Sequence, residues 1–67
     1  MQISVNDKPI QLPESPCTVV QLLAHLQMDS RGIALAINQR VIPKSKWPSH
    51  LLEENDQVII IRATQGG

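Results

Sequence analysis

Aromatic side chains are all but missing from this chain: Trp47 stands alone, with no Phe and no Tyr. Proteins that hold single-stranded nucleic acid stack its bases on rings, so one ring provides no such platform. Cysteine is equally scarce. Cys17 is the sole thiol, which excludes an internal disulfide or a thiolate zinc site and fits a reducing compartment. Neither sign of charge predominates. Six basic and six acidic residues cancel, so bulk charge directs the chain to neither nucleic acid nor a membrane surface. No apolar run approaches the ~20 residues of a membrane span, and Met1–Val5 has neither the basic nor the apolar region of a signal peptide. Three glycines are present, Gly32, Gly66 and Gly67; none stands at a strand–helix junction, which removes the phosphate-binding loops. With 67 residues there is room for one small core and little for an internal catalytic cleft. The expectation is a single soluble, cytoplasmic domain, monomeric when free.

What is there alternates and punctuates clearly. Ile3 and Val5 flank Ser4, the period of a half-buried strand. Asn6-Asp7 follows, two residues that tolerate left-handed backbone angles and suit a tight hairpin turn. Ile10-Gln11-Leu12 alternates again, and Pro9 at its start suits an edge strand. Pro13 and Pro16 bracket an irregular loop. Thr18 and Gln21 have capping-box spacing, and Val19, Leu22, Leu23 and Leu26 form one helical stripe that should fade near Met28. Ile33–Ile37 has strand length. Asn38-Gln39 is a second turn, and Val41-Ile42 a short strand stopped by Pro43. Lys44 to His50 reads as a loop with one helical turn, after which Leu51-Leu52 tucks back toward the core. Glu53 to Asp56 is an acidic turn, and Gln57 to Arg62 an apolar, central strand. One amphipathic helix needs a sheet to cover its stripe. The order predicts an α+β, β-grasp (ubiquitin-like) domain over residues 1–62, with a mixed sheet of about five strands whose first and last members pair in parallel. Residues 63–67 are expected to form a flexible tail.

Few residues offer chemistry of their own. Cys17 and His25 could meet, but nothing in the sequence orients the histidine as a base. His25 and His50 lack metal-ligand spacing. The expectation is no catalytic residue, no metal and no bound cofactor. Arg40, Lys44 and Lys46 form a basic group, and Glu53, Glu54 and Asp56 an acidic one; each is either a solvated loop or a steering patch. Trp47 reads as a half-buried lid on the core. If Val58 and Ile60 point to the helix, Ile59 and Ile61 face outward, and with Arg62 they make a candidate partner surface.

The remaining feature is Ala63-Thr64-Gln65-Gly66-Gly67. Fully extended, five residues reach about 16 Å. Two glycines make the end thin, since neither carries a Cβ. Such a tail could thread a narrow channel and present the carboxylate of Gly67, ionised near neutral pH. A carboxylate is a poor electrophile and needs activation, most simply as an acyl adenylate. No ATP motif is present, so the activating enzyme would be separate and this chain its substrate.

Taken together, Val5-Asn6, Thr18-Val19 with Leu22-Leu23, and Leu35-Ala36-Ile37-Asn38 leading to Val41-Ile42-Pro43-Lys44-Ser45-Lys46-Trp47 resemble the ThiS family of sulfur carriers of thiamine biosynthesis. Asp56-Gln57-Val58-Ile59-Ile60 and Gly66-Gly67 complete the resemblance. It implies that an adenylyltransferase like the ubiquitin-activating enzymes adenylates Gly67 with ATP. Sulfur from cysteine, through a cysteine desulfurase or sulfurtransferase, then converts the terminus to a thiocarboxylate, and thiazole synthase takes that sulfur. Gln65 and Thr64 would thread with Gly66. Family members often carry Asn-Gly where this chain has Asn6-Asp7 and Asn38-Gln39, and Asp-Gly-Asp in place of Glu54-Asn55-Asp56. Their tails are often more apolar than Thr64-Gln65. Three alternatives stay open at this level: a carrier like the small subunit of molybdopterin synthase, a protein-conjugating modifier, and a β-grasp interaction module whose terminal glycines are incidental.

Overall fold

A computed structural model describes residues 1–13 and 16–62. The strands are β1 (Gln2–Val5), β2 (Lys8–Gln11), β3 (Ile33–Ile37), β4 (Arg40–Val41) and β5 (Gln57–Arg62), with one helix, α1 (Val19–His25), and a 3₁₀ turn at Lys44–Lys46. The five strands form one sheet in the order β2-β1-β5-β3-β4. β1 and β5 run parallel, and every other neighbouring pair is antiparallel. The β-grasp arrangement expected from the order of elements is therefore present, with β5 at its centre and the Pro9 strand at one edge.

Both hairpins turn on asparagine. Asn6 and Asp7 have φ of 51° and 68°, Asn38 and Gln39 51° and 71°, the positive pair that makes a two-residue turn match the twist of its strands. Neither turn has the glycine that would adopt this geometry most easily.

Helix α1 opens on the capping box foreseen. The Gln21 amide donates to Thr18 Oγ1 (3.2 Å), and the Thr18 amide donates to Gln21 Oε1 (2.8 Å). Val19, Leu22 and Leu23 are buried. The helix ends at His25, a turn earlier than Met28. Gln27 swings to φ 58°, its amide donates to Ala24 O, and the Met28 amide donates to Leu23 O. That is a Schellman stop, which satisfies the last carbonyls at the cost of a non-glycine residue in the left-handed region.

The core lies between α1 and one face of the sheet. Ile3, Leu12, Val19, Leu22, Leu35 and Val58 are its most enclosed members. Alternation along β3 buries Leu35 and Ile37 and turns Ala34 and Ala36 to the other face. Trp47 is not a half-buried lid: it is 3% exposed, and its Nε1 donates to Ile42 O at 2.9 Å. The ring joins the core because its one polar atom finds a carbonyl there. Leu52 tucks inward as expected. Leu51, which forms an isolated backbone bridge with Thr18, is 53% exposed. No helix among the described residues is long and apolar enough to cross a membrane.

Candidate functional site

The candidate site is organised by β5. From Gln57 to Ile61 burial alternates: Val58 and Ile60 are buried, while Ile59 and Ile61 are 37% and 60% exposed. The split expected from alternation, with Ile59 and Ile61 facing outward, is therefore present. In a mixed sheet with a single helix, no element among the described residues covers the second face. Across that face the register sets Ile59 opposite Ala36, and Ala36 opposite Val41; Ile61 stands opposite Ala34. Val41 is 71% exposed. One apolar row, Val41–Ala36–Ile59, thus crosses β4, β3 and β5, and a second, Ala34–Ile61, crosses β3 and β5. Arg62, the last residue of the strand, is exposed as well. Sequence reasoning missed Val41 as part of this patch. The strand was placed one residue late, at Val41-Ile42; the actual strand Arg40–Val41 puts Ile42 just past its end, buried, with its amide donating to Leu35 O (2.9 Å).

Two asparagine side chains fasten β5. Asn6 Oδ1 accepts from the Ile60 amide at 2.8 Å, and its Nδ2 donates to Ile60 O at 3.3 Å. At the opposite end, Asn38 Oδ1 accepts from the Gln57 amide at 2.9 Å, and Asn38 Nδ2 donates to Asp56 Oδ1 at 2.9 Å. Asp56 also accepts from the Glu53 amide through Oδ2 (2.8 Å) and is 7% exposed. It therefore does not belong to a solvated acidic patch; it ties the Glu53–Asp56 turn to the β3–β4 turn. Glu54 is likewise engaged, accepting from the Gln2 amide at 3.0 Å.

The basic trio is divided. Arg40 lines a polar concavity with His50, Glu53 and Asp56. Lys44 lies 5.6 Å over the Trp47 ring and lines a different one, beside Val20 and Met28. Cys17 and His25 border one shallow cavity of about 340 Å³, together with Leu12, Pro13, Gln21 and Ala24. The thiol is buried, and its sulfur donates to Thr18 O at 3.5 Å. Among the described residues no three His, Cys, Asp or Glu are gathered as a metal site. Asp29, on the loop before β3, has its carboxyl lowered to about 2 by hydrogen bonds from the Arg31 side chain and amide. Any stability this exposed pair contributes is present above the ordinary carboxylate range and fades as the pH falls toward that value. Thr64, Gln65, Gly66 and Gly67, the threading and reacting residues expected from the sequence, lie outside the described residues, as does the whole expected tail, 63–67.

Residues 3–67 match the model of the ThiS family. The chain is 37% identical over 67 residues to the sulfur carrier protein ThiS of Escherichia coli strain K12, across the full length of both. It is 31% identical over 67 residues to the uncharacterized protein ycf40 of Porphyra purpurea, covering all of this chain and 93% of that one. The crystal structure of a thiamine biosynthesis protein (ThiS) from Geobacter metallireducens aligns with a TM-score of 0.86 over the whole of both chains, at 22% identity. A solution structure of a thiamine biosynthesis protein from the same organism gives 0.79, covering all of this chain and 88% of that one. At that identity the two structures speak for the fold.

Proposed function

The chain belongs to the ThiS family, and on that premise we propose that it is a sulfur carrier for thiazole formation in thiamine biosynthesis, acting through the carboxylate of Gly67. The observation that carries the reading is the full-length match to a sulfur carrier, aligned from the first residue to the last of both chains. In the proposed cycle, a carboxylate oxygen of Gly67 attacks the α-phosphorus of ATP held by a separate activating enzyme. Pyrophosphate leaves and an acyl adenylate forms. A sulfur nucleophile at the sulfide level, released by a thiol reductant from the persulfide that a desulfurase makes from cysteine, then attacks the carbonyl carbon. AMP leaves with the C–O bond electrons, and a thiocarboxylate remains. Thiazole synthase consumes that sulfur and returns the carboxylate. The chain binds no cofactor in this scheme; ATP is used by its partner.

The fold suits the role of a handled substrate. Ile59 and Ile61, on the strand that precedes the terminal segment, and Val41 on β4 offer an apolar face, and such a face on a small domain marks a partner surface. We assign it to the activating enzyme. Glycines at 66 and 67 leave the reacting carbonyl unobstructed by any Cβ.

Intact-mass measurement of the protein isolated from cells tests this reading. A fraction whose mass corresponds to one oxygen replaced by sulfur, located at Gly67 by fragmentation, is the expected result. Adding one alanine after Gly67 should abolish both that species and thiazole formation while leaving the fold unchanged. Normal thiazole formation by the extended chain would defeat the reading.

A further inference from the structure

Where β1 stops, a side chain continues its work. The β1–β5 ladder pairs Ser4 with Gln57 and Val5 with Val58, and the Asn6 amide donates to Val58 O at 2.9 Å. The next rung would fall on Ile60. The main chain cannot supply it, because Asn6 and Asp7 have already turned away toward β2. The Asn6 side chain supplies it instead. Its amide bonds both the N–H and the C=O of Ile60 (2.8 and 3.3 Å), as a one-residue substitute for a strand. Past that point β5 is held from one side only, by β3 up to the pairing of Ile33 with Arg62.

We infer that Asn6 is a positioning residue for the chemistry at Gly67: its amide fixes the end of β5 between the docking face and the terminal segment. The inference rests on the carrier reading above. Ile59 and Ile61 straddle the clipped residue, so the clip sets where Ile61 stands relative to Ile59 and from where residues after Arg62 depart. An activating enzyme that grips the apolar face must find the carboxylate at a set distance and direction. If the last turn of the strand is loose, docking still occurs, but the carboxylate must be placed at greater entropic cost. That cost falls on the chemical step. Asn6 stands 61 residues from the reacting group in sequence and touches neither substrate nor nucleotide.

The decisive variant is Asn6→Gly. Glycine accepts the positive φ of the turn, so the hairpin survives while both clip bonds are lost. Asn6→Asp serves as the second variant: it keeps the acceptor for the Ile60 amide and removes the donor. Two measurements are made on each full-length protein. Amide hydrogen exchange should show Ile60 exchanging roughly tenfold faster in Asn6→Gly, with core amides such as that of Leu35 unchanged. ATP–pyrophosphate exchange with an adenylating enzyme of the ubiquitin-activating type should show kcat lower by roughly tenfold with KM within about twofold. Asn6→Asp should fall between the variant and the native protein on both. Native kcat in a variant whose Ile60 amide is deprotected would overturn the inference and leave the carrier reading standing. Unchanged Ile60 protection would overturn it too, since the clip would then do nothing. Failure of the native protein itself to support ATP–pyrophosphate exchange would remove the carrier reading, and this inference with it.

Discussion

At the scale of single residues, the chain repeatedly places side chains other than glycine where the backbone turns left-handed. Asn6, Asp7, Asn38, Gln39, Asn55 and Gln27 all have positive φ. For the asparagines the cost is offset, because short amides tolerate this region and two of them bond β5 at the same time. Gln27 has no such return: among its described interactions it contributes only its main-chain amide to the helix stop. A β-carbon in the left-handed region costs about 1–2 kcal/mol, part of which glycine gives back through the entropy of its unfolded chain. Gln27→Gly should therefore stabilise the domain by about 1 kcal/mol and raise Tm by roughly 4–8 °C. Thermal unfolding followed by circular dichroism measures it, and an unchanged or lower Tm would show that the side chain is compensated in a way its backbone angle conceals.

At the scale of elements, legibility followed local chemistry and stopped where neighbours decide. The capping box at Thr18 and Gln21 was readable because both partners are three residues apart. The hairpin turns were readable because asparagine alone signals the unusual angle. The helix end was not, since Gln27 gives no sign that it will terminate anything. Trp47 was misjudged because its hydrogen-bond partner, Ile42 O, exists only once the loop has closed. Asp56 looked like one carboxylate of an acidic run, and its burial depends on Asn38, eighteen residues away. For the candidate site, the outward pair Ile59 and Ile61 followed from alternation, whereas Val41 required the register of two further strands. That patch makes its own prediction. Ile61→Thr keeps the β-branched shape favoured in strands and removes apolar surface that the fold leaves exposed, so Tm should move by no more than about 3 °C. If Ile61 is a docking anchor, KM for the activating enzyme should rise roughly tenfold with kcat retained. This is the reverse of the split expected at Asn6, and the two variants together separate grip from placement. An unchanged KM would take Ile61 out of the docking face.

At the scale of the whole molecule, a carrier of this kind has to solve a conflict between order and access. The fold must be stable enough to be recognised, yet in the proposed cycle the group that reacts has to reach the active site of another protein. The distribution of contacts shows how this chain divides the tasks. Among the described residues, every buried hydrophobic residue of the core lies between Ile3 and Ile60, and the β3–β5 register runs to the pairing of Ile33 with Arg62. Each end of β5 is tied by an asparagine drawn from a hairpin. The stability of a small domain is set by its buried apolar surface, and the described residues already hold a contiguous core. Truncation after Arg62 should therefore leave Tm within about 3 °C of the native value, while adenylation and sulfur transfer vanish entirely. Removing Gly67 alone should give the same contrast, native melting with no activation. A loss of 10 °C or so on truncation, equivalent to about 2 kcal/mol for a domain of this size, would mean that the terminal residues hold the fold together. The reacting carboxylate could then be released only by partial unfolding, and activation would show the steep temperature dependence of an opening reaction in place of that of a simple docking event.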